Sequence, residues 1–293
     1  MGGAAERWRD LVEGRLAEME ALQAGRGTLG GEFWDQRARR FSRGPMSSAE
    51  RDPMLGHLRR AVKAAGRGSD GGRGRAGGTT VLDVGSGPGR FSLAIAPRAQ
   101  RVTAVDPSKK MLAILRRRAR ELGVANVRTV TGRWQEVDVA VADVVLCSHV
   151  LTLVADAPAF LAKLDAHARH RVLLYVGAYS VDALLDPFWR HFHGSPRRPG
   201  PTYVDALAVL DEMGAQAEVS VVEVRAWSRH ETLADAVETY LDTLVLAPTA
   251  ESRRAVAALL EPWLQRRDGG LAAPLRTQPA AIISWAPGRL SVP

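Results

Sequence analysis

The chain has 293 residues, of which 46% are hydrophobic and 25% are charged, and its formal net charge is +8. This composition is typical of a globular protein with a sizeable core, and the length allows one large domain or a domain with an appendage. The single cysteine, Cys147, excludes an intrachain disulfide and a metal cluster built from cysteines.

The apolar segments indicate neither secretion nor a membrane span. The N-terminal residues do not combine a positive start with a long apolar run, as a signal peptide would. The longest uncharged apolar run in the middle of the chain, from Val144 to Val154, is far too short to cross a bilayer. We therefore expect a reducing, cytoplasmic location and no membrane partner.

The first part of the chain is helical in pattern and ends in a glycine-rich stretch. Residues 66–78, GRGSDGGRGRAGG, have the low complexity of a flexible linker. This predicts an N-terminal helical cap with its linker over residues 1–78 and a second domain over residues 79–293. Apolar residues recur at the spacings of three and four that indicate amphipathic helices in the stretches 5–23, Phe33–Phe41 (FWDQRARRF) and Asp52–Ala65.

From Thr80 onward, strand patterns alternate with helical patterns, which predicts an α/β fold with a doubly wound, mostly parallel sheet. Two further helical patterns within residues 229–266 predict a helical insertion before the last strand. The seven predicted strands cover residues 80–84, 101–105, 126–131, 142–148, 171–177, 217–226 and 280–286. The predicted helices between them begin near Pro88, Ser108, Asp156 and Pro201.

The first strand leads into a turn with three glycines, VLDVGSGPGR at residues 81–90. A dinucleotide fingerprint would place glycine three residues after Gly87, where the chain has Arg90, and the Gly-Lys-Ser/Thr of a P-loop is absent. Asp83 would repel a pyrophosphate but attract an ammonium group, and the glycines let a ligand lie against backbone amides. Asp106, at the end of the second strand, can accept both hydroxyls of an unphosphorylated ribose. An amine, a ribose and no phosphate describe S-adenosylmethionine.

The segments VLDVGSGPG, AVDPS and ADVVLCSHVL resemble the motifs of class I S-adenosylmethionine-dependent methyltransferases, and the resemblance covers residues 80–178. It implies a Rossmann-like seven-stranded sheet, S-adenosylmethionine as cofactor and methyl transfer as the activity. The positions that match the family's cofactor-binding motifs are Asp83, Gly85, Ser86, Gly87 and Gly89 for the methionine part, Asp106 for the ribose, Pro107, Ser108 and Met111 beside the adenine, Gly132, Arg133 and Trp134 after the third strand, and Ser148, His149 and Val150 beneath the methyl donor.

Several acceptor classes are disfavoured by the sequence. The Asn/Asp-Pro-Pro-Tyr motif of adenine- and glutamine-directed relatives is absent after the fourth strand. Cys147 lies within a strand expected to be buried, so it is read as a core residue and not as the nucleophile of a cytosine-directed enzyme. We see no carboxylate cluster typical of a magnesium site and expect no metal.

The segment after the fifth strand is expected to lie over the reactive face. His191 and His193 are two residues apart, so on a strand or an extended loop they would share a face. Within this segment, Tyr179, Trp189, His191 and His193 are candidates to shape the acceptor pocket, although surface or packing roles are the alternative for the two histidines. The candidates for catalysis are Tyr179, His149, His191 and His193.

In the cap, Trp34 and Arg37 are candidates to close over the cofactor. Arg37 or Arg40 is the candidate partner of the methionine carboxylate, with a solvated arginine as the alternative.

Three functions stay open, and a methyltransferase that acts on a small-molecule acceptor is favoured. The second is an RNA methyltransferase that uses the cap and the basic helix at residues 109–120, KKMLAILRRRAR, but aromatic residues do not interleave with its charges. The third is a non-catalytic protein that binds S-adenosylmethionine. The sequence leaves the acceptor and the oligomeric state open.

Overall fold

The structure is a computed structural model, and it describes residues 3–23, 33–35, 37–38, 47–67, 78–178, 182–225, 229–267, 269–288 and 290–291. The strands are β1 (Thr80–Val84), β2 (Arg101–Asp106), β3 (Val127–Thr131), β4 (Ala142–Ser148), β5 (Ala168–Gly177), β6 (Glu218–Arg225), β7 (Arg229–His230), β8 (Gln265–Arg267), β9 (Gly270–Ala272) and β10 (Thr277–Trp285). A seven-stranded sheet has the order β3-β2-β1-β4-β5-β10-β6, and a small sheet has the order β7-β9-β8.

Several helices begin after a residue whose side chain accepts a hydrogen bond from a free backbone amide of the first turn. Ser108 and Asp156 each accept a hydrogen bond from the amide three residues ahead, as expected for the predicted helix starts. The helices are α1 (Ala4–Gln23), α2 (Ser47–Glu50), α3 (Pro53–Ala65), α4 (Arg90–Ile95), α5 (Lys109–Glu121), α6 (Ala157–Ala166), α7 (Asp182–His193), α8 (Tyr203–Glu212), α9 (Leu233–Thr243) and α10 (Ala250–Trp263).

The seven-stranded sheet confirms the predicted doubly wound architecture. Strands β1 to β5 pair in parallel, while β10 pairs antiparallel with both β5 and β6. The strand order reverses at β1, which lies between β2 and β4. The carboxyl ends of these three strands therefore border one crevice, the usual ligand site of such sheets.

The cap helices pack directly on the sheet. Trp8 and Val12 of α1 belong to the hydrophobic core on one face, together with apolar residues of α6 and α8. Leu55 and Leu58 of α3 belong to the core on the other face, together with residues of α4. The division of the chain near residue 78 stays a prediction, but the described parts on its two sides share both cores.

A group of helices lies beyond the carboxyl ends of the strands, and we call α7, α9, α10 and the small sheet the lobe. Helix α7 follows β5, and α9 and α10 lie between β6 and β10. Their aromatic and aliphatic side chains form a separate hydrophobic cluster that includes Phe188, Trp189 and Tyr240. Helices α9 and α10 occupy the stretch in which two helices are predicted. Residues 188–193 form the end of α7, so the strand or extended loop considered for them is not present.

Candidate functional site

The glycine turn between β1 and α4 is bonded to the end of β2. The amides of Gly85 and Ser86 donate to the carbonyl of Val105 at 2.8 and 3.0 Å, and the amide of Gly87 donates to Oδ2 of Asp106 at 2.8 Å. The first two elements predicted to hold the cofactor are thus one rigid unit.

The three positions of the turn require glycine for different physical reasons. All three have positive φ, 71° at Gly85, 53° at Gly87 and 84° at Gly89, which other residues adopt at a cost. A Cβ atom at Gly85 would lie 2.2 Å from Cγ2 of Val150, and one at Gly89 would lie 2.6 Å from Cγ of Leu115. A Cβ atom at Gly87 would meet no heavy atom within 4 Å. Gly85 and Gly89 therefore allow close packing, whereas Gly87 borders open space.

Asp83 is a buried carboxylate with one oxygen bound and one oxygen free. Its Oδ2 accepts from Oγ of Ser92 at 2.5 Å, whereas its Oδ1 has no hydrogen-bond partner in the described part of the chain. Burial raises the pKa of Asp83 to about 6, the Ser92 hydroxyl lowers it, and the nearby Asp106 raises it further. A buried carboxylate oxygen without a partner is costly, so this site fits a cationic group such as the ammonium of S-adenosylmethionine.

Asp106 holds two segments of the site together. Its Oδ1 accepts from the Ser108 amide at 2.8 Å, its Oδ2 accepts from the Gly87 amide, and its carbonyl accepts from the Gly132 amide at 3.2 Å. Burial raises the pKa of Asp106, although both amides lower it. Each carboxylate oxygen has a second acceptor position, so the ribose hydroxyls predicted to bind here have acceptors.

The residues predicted beside the adenine lie at the start of α5. Ser108 is buried, its Oγ accepts from the Met111 amide at 3.0 Å, and Met111 is buried with it. The same Oγ donates to Oδ1 of Asp35, which also accepts from the Lys110 amide at 3.1 Å. Pro107 is half-buried. The described residues of the cap therefore reach the predicted adenine side of the crevice.

In the loop after β3, the three predicted residues have different environments. The Trp134 ring is buried in the core, 5.0 Å from the His167 ring, with the Lys163 ammonium 4.8 Å from its centre. That ring is a core side chain, so an adenine contact would use the backbone amide of Trp134. Arg133 is exposed, and a Cβ atom at Gly132 would lie 2.4 Å from Val137.

His149, which follows β4, has an unusual backbone conformation and a ring that contacts Tyr175. Its φ of 57° is rare for a non-glycine residue, and its amide donates to the Tyr175 carbonyl at 2.8 Å. The imidazole lies 4.7 Å from the Tyr175 ring between centroids, yet it stays exposed to solvent. Surrounding protein atoms, and then the Arg90 charge, lower the pKa of His149 to about 4. The imidazole is therefore neutral at pH 7.

Half-buried Arg90 and buried Asp52 and Tyr175 form a hydrogen-bonded group next to His149. The guanidinium of Arg90 donates to Oδ2 of Asp52 at 2.6 Å, and the Tyr175 hydroxyl donates to the same carboxylate at 3.1 and 3.2 Å. Asp52 also caps α3 by accepting from the Met54 amide at 2.9 Å. Burial raises the pKa of Tyr175, and the Asp52 charge raises it further. One carboxylate of the cap thus joins the glycine turn, through Arg90, to β5.

The other catalytic candidates are less well placed. His191 and His193 lie on α7 and not on a strand or extended loop, and residues two apart on a helix do not share a face. His193 Nε2 is 2.8 Å from the Leu244 carbonyl, and His191 is exposed. Trp189 is buried in the lobe. Tyr179 lies outside the described residues.

The arginine expected to meet the methionine carboxylate has another partner. The Arg37 guanidinium donates to both oxygens of Asp242 in α9, and its Cζ lies 3.4 Å from the centre of the Phe33 ring. Arg37 therefore ties the cap to the lobe, and its role as a candidate partner of the methionine carboxylate stays a prediction. Trp34 is half-buried, and Arg40 lies outside the described residues.

Sequence reasoning did not single out Asp35, Asp52, Arg90 or Tyr175 as site residues. The Asp52–Pro53 pair is a readable helix-start signal, but nothing local indicates that the carboxylate also binds Arg90 and Tyr175. In the described part of the chain, no three His, Cys, Asp or Glu side chains are grouped to hold a metal. None of the helices that the structure describes is long and apolar enough to span a bilayer.

The chain is similar to methyltransferases in sequence. A family described as "Methyltransferase domain" matches residues 81–171. An uncharacterized protein of Haemophilus influenzae is 34% identical over 148 residues, which are 50% of this chain and 54% of that protein. Ribosomal RNA small subunit methyltransferase G of Neisseria gonorrhoeae is 46% identical over 72 residues, 24% of this chain and 34% of that protein. The chain thus spans about half the length of the first relative and about a third of the second.

The fold is similar to that of the YcgJ protein from Bacillus subtilis. The TM-score is 0.50 at 17% identity, and the match covers 80% of this chain and 97% of that chain. A likeness at this level of identity concerns the fold alone.

Proposed function

We propose that this chain, which carries a class I S-adenosylmethionine-dependent methyltransferase domain, transfers a methyl group from S-adenosylmethionine to a small-molecule acceptor. The observation that carries the proposal is the unpartnered Oδ1 of buried Asp83, close in sequence to Gly87, which borders open space. A cationic ligand would pair its charge with Asp83 and would lie against the backbone at Gly87.

The residues proposed to hold the cofactor surround the crevice at the reversal of strand order. Asp83 would receive the ammonium group, Gly87 would leave room for the methionine chain, and Asp106 would accept the ribose hydroxyls. Ser108 and Met111 would line the adenine side, and Ser148, His149 and Val150 would lie beneath the reactive centre. The chemistry that S-adenosylmethionine supplies when bound is an electrophilic methyl group on sulfur.

The chain's own contribution to the reaction is mainly positioning. When an acceptor is held in line with the methyl group, the activation free energy falls by up to ~7–11 kcal/mol in well-oriented cases. Amides of the glycine turn donate hydrogen bonds to the Val105 carbonyl and to the Asp106 carboxylate, so the turn needs little reorganisation when a ligand binds. The lobe and the Arg37–Asp242 ion pair lie beyond the strand ends and favour an acceptor small enough to enter between them.

An RNA acceptor is the second candidate, because 72 residues resemble an enzyme whose name states that it methylates ribosomal RNA. The most basic stretch, on α5, supports it less well. Arg116, Arg117 and Arg120 are exposed on this helix, whose buried residues Leu112 and Leu115 pack toward the sheet. A polymer bound to these arginines would lie beside the sheet and not over the strand ends.

The proposal is tested by binding and by transfer. In calorimetry, S-adenosylhomocysteine should bind and NAD should not. Methyl-labelled S-adenosylmethionine is then supplied with a small-molecule cell extract and, separately, with total RNA, and label should enter the small molecules. NAD binding without S-adenosylhomocysteine binding would reject the cofactor, and label in RNA alone would reject the acceptor class.

A cytoplasmic location is part of the same proposal. Its support is the low cysteine content, since Cys147 is buried and has no disulfide partner in the sequence.

A further inference from the structure

His149 directly follows β4, at the carboxyl ends of the strands that border the crevice. Its ring nitrogens make no hydrogen bond to the residues that the structure describes, and the residue is exposed to solvent. The next residue, Val150, packs against Gly85 of the glycine turn, so His149 lies one residue from the predicted methionine site. The left-handed φ of 57° is a strained conformation for a histidine, and such strain is often retained at functional sites.

We propose that His149 accepts the proton of a hydroxyl acceptor, so that the reaction of this site is O-methyl transfer. The inference rests on the proposed methyltransferase function and deepens it by naming the acceptor class. Asp52 acts as a positioning residue, because it binds the Tyr175 hydroxyl and Arg90 next to the imidazole.

The groups that face His149 explain why its ring is neutral. Tyr175 of β5 lies against it, Arg90 of α4 disfavours a second positive charge, and Asp52 at the start of α3 partly offsets Arg90. A neutral imidazole can receive a proton at any pH above its lowered pKa. It also places no positive charge beside the sulfonium of the cofactor, which a protonated ring would repel.

The chemistry favours a hydroxyl over an amine. A phenolic hydroxyl has a pKa of about 10 and is too weak an acid to lose its proton to this imidazole before the reaction. As the oxygen bonds to the methyl carbon, it becomes strongly acidic, and the proton then moves to an imidazole nitrogen and on to water. The electron pair of the broken carbon–sulfur bond stays on sulfur, so charge and atoms balance.

An amine acceptor would gain nothing from His149. An alkyl amine has a pKa of about 10, like a lysine, so at pH 7 it is protonated and has no lone pair for the attack. It must lose that proton before the reaction, and the weakly basic imidazole of His149 cannot remove it then. A hydroxyl oxygen keeps a free lone pair while it is protonated, so the neutral imidazole is useful to an acceptor that loses its proton during transfer.

The test compares hydroxyl and amine acceptors. A series of phenols and the benzylamines of matching ring substitution is incubated with methyl-labelled S-adenosylmethionine, and mass spectrometry locates the methyl group. The variant His149→Asn suits the left-handed backbone and cannot take a proton. We expect label on oxygen, a kcat lowered about 10²–10⁴-fold in His149→Asn, and a Kd for S-adenosylhomocysteine within threefold of the wild type. His149→Gln serves as a second variant if His149→Asn does not fold.

A matched control and a second readout separate catalysis from structure. His170→Gln changes a histidine at the amino end of β5, near Asp143, and should leave kcat unchanged. NMR titration of the wild type should find the His149 ring neutral from pH 8 down to about pH 5.

Three results would overturn the inference that His149 takes the proton of a hydroxyl acceptor. These are label on amines alone, an unchanged kcat in both His149 variants, and a His149 ring that is protonated at pH 6. Binding of S-adenosylhomocysteine with no label in either series would also overturn it. A wild type that binds no S-adenosylhomocysteine would instead reject the proposed function.

Discussion

At the residue scale, the two buried carboxylates of the crevice differ in how their oxygens are used. Both oxygens of Asp106 already accept backbone amides, whereas Oδ1 of Asp83 accepts nothing in the described chain. Asp106 therefore has a structural role in addition to the predicted ribose contact, and Asp83 has an open position for a cation.

We expect the affinity for S-adenosylhomocysteine to rise as the pH increases from 5 to 7. The pKa of Asp83, about 6 instead of its ordinary 3.8, means that much of its carboxyl group is neutral below pH 6 in the free protein. The ammonium group of the ligand favours the ionised form. Asp83→Asn should weaken binding at pH 7 and remove this rise, which calorimetry at several pH values measures; an affinity that is flat with pH in the wild type would contradict the role.

The raised pKa of Asp83 has the opposite effect on the stability of the ligand-free protein, which should fall as the pH increases. Because folding favours the protonated form of Asp83, its contribution is fully present below about pH 4 and is lost as the pH rises through about 6. The ligand-free Asp83→Asn variant should lack that loss, which denaturant unfolding at pH 4.5 and 7 would measure.

Asp106→Ala should weaken S-adenosylhomocysteine binding at least tenfold. Hydrogen bonds to a charged group contribute ~1.5–3 kcal/mol each, so the loss of one ribose contact accounts for that factor. The variant also releases the Gly87 and Ser108 amides, and its thermal midpoint should fall. Asp138→Ala, at an exposed position, is the matched control. An unchanged dissociation constant would remove Asp106 from the site.

At the element scale, the glycine turn and helix α5 show how a short segment combines packing with binding. The turn packs against Val150 and Leu115 through Gly85 and Gly89, and it leaves Gly87 open. On α5, the spacing of the apolar residues predicts that Lys110, Arg117 and Arg118 face solvent. Lys110 and Arg117 are exposed, but the prediction for Arg118 is wrong. Arg118 is half-buried, and its guanidinium lies 3.5 Å from the Pro88 carbonyl in the turn.

Alanine substitutions should separate the two kinds of glycine. Gly89→Ala should lower the thermal midpoint more than Gly87→Ala, because its Cβ meets Leu115, while both share the strain of a positive φ. Gly87→Val should chiefly weaken S-adenosylhomocysteine binding, because its side chain would occupy the ligand's space. Equal effects of the two alanine variants on both the midpoint and the dissociation constant would contradict this assignment.

The exposed arginines of α5 should not contribute to transfer. Replacement of Arg116, Arg117 and Arg120 by glutamine should leave the methylation of the small-molecule extract unchanged, because these side chains lie outside the sheet. Arg118→Gln is the informative comparison, since it alters a contact with the turn. Loss of label from RNA in the triple variant, with RNA labelled by the wild type, would favour the second candidate function.

At the scale of the whole molecule, the cap connects the sheet, the crevice and the lobe. Trp8 packs in the core of the sheet, Asp52 binds Arg90 beneath the turn, and Asp35 binds Ser108 at the start of α5. Arg37 then reaches Asp242 in the lobe. The cap is therefore part of the described site and not only a cover for one face of the sheet.

Trp8→Ala should destabilise the entire fold. Trp8 is fully buried and its Nε1 donates to the Val154 carbonyl at 2.8 Å, and truncation of a buried tryptophan typically costs ~3–5 kcal/mol. Because α1 shares a core with the sheet, one unfolding transition should shift to lower temperature in calorimetry. A separate early transition, with the main one unchanged, would mean that the cap unfolds independently.

The sequence by itself determined the seven strands of the main sheet and the acid-first glycine turn that predicts the cofactor class, because side-chain periodicity, helix caps and turn glycines are signals within a few residues. The tertiary structure alone decided which polar groups meet. Asp52 binds Arg90, 38 residues away, and Tyr175, 123 residues away. Helix α7 forms around an interior proline, Pro187, because Leu185, Phe188 and Trp189 are buried in the lobe and this packing outweighs the unfavourable local preference. Such contacts depend on where distant segments meet, and no local pattern of residues encodes that meeting.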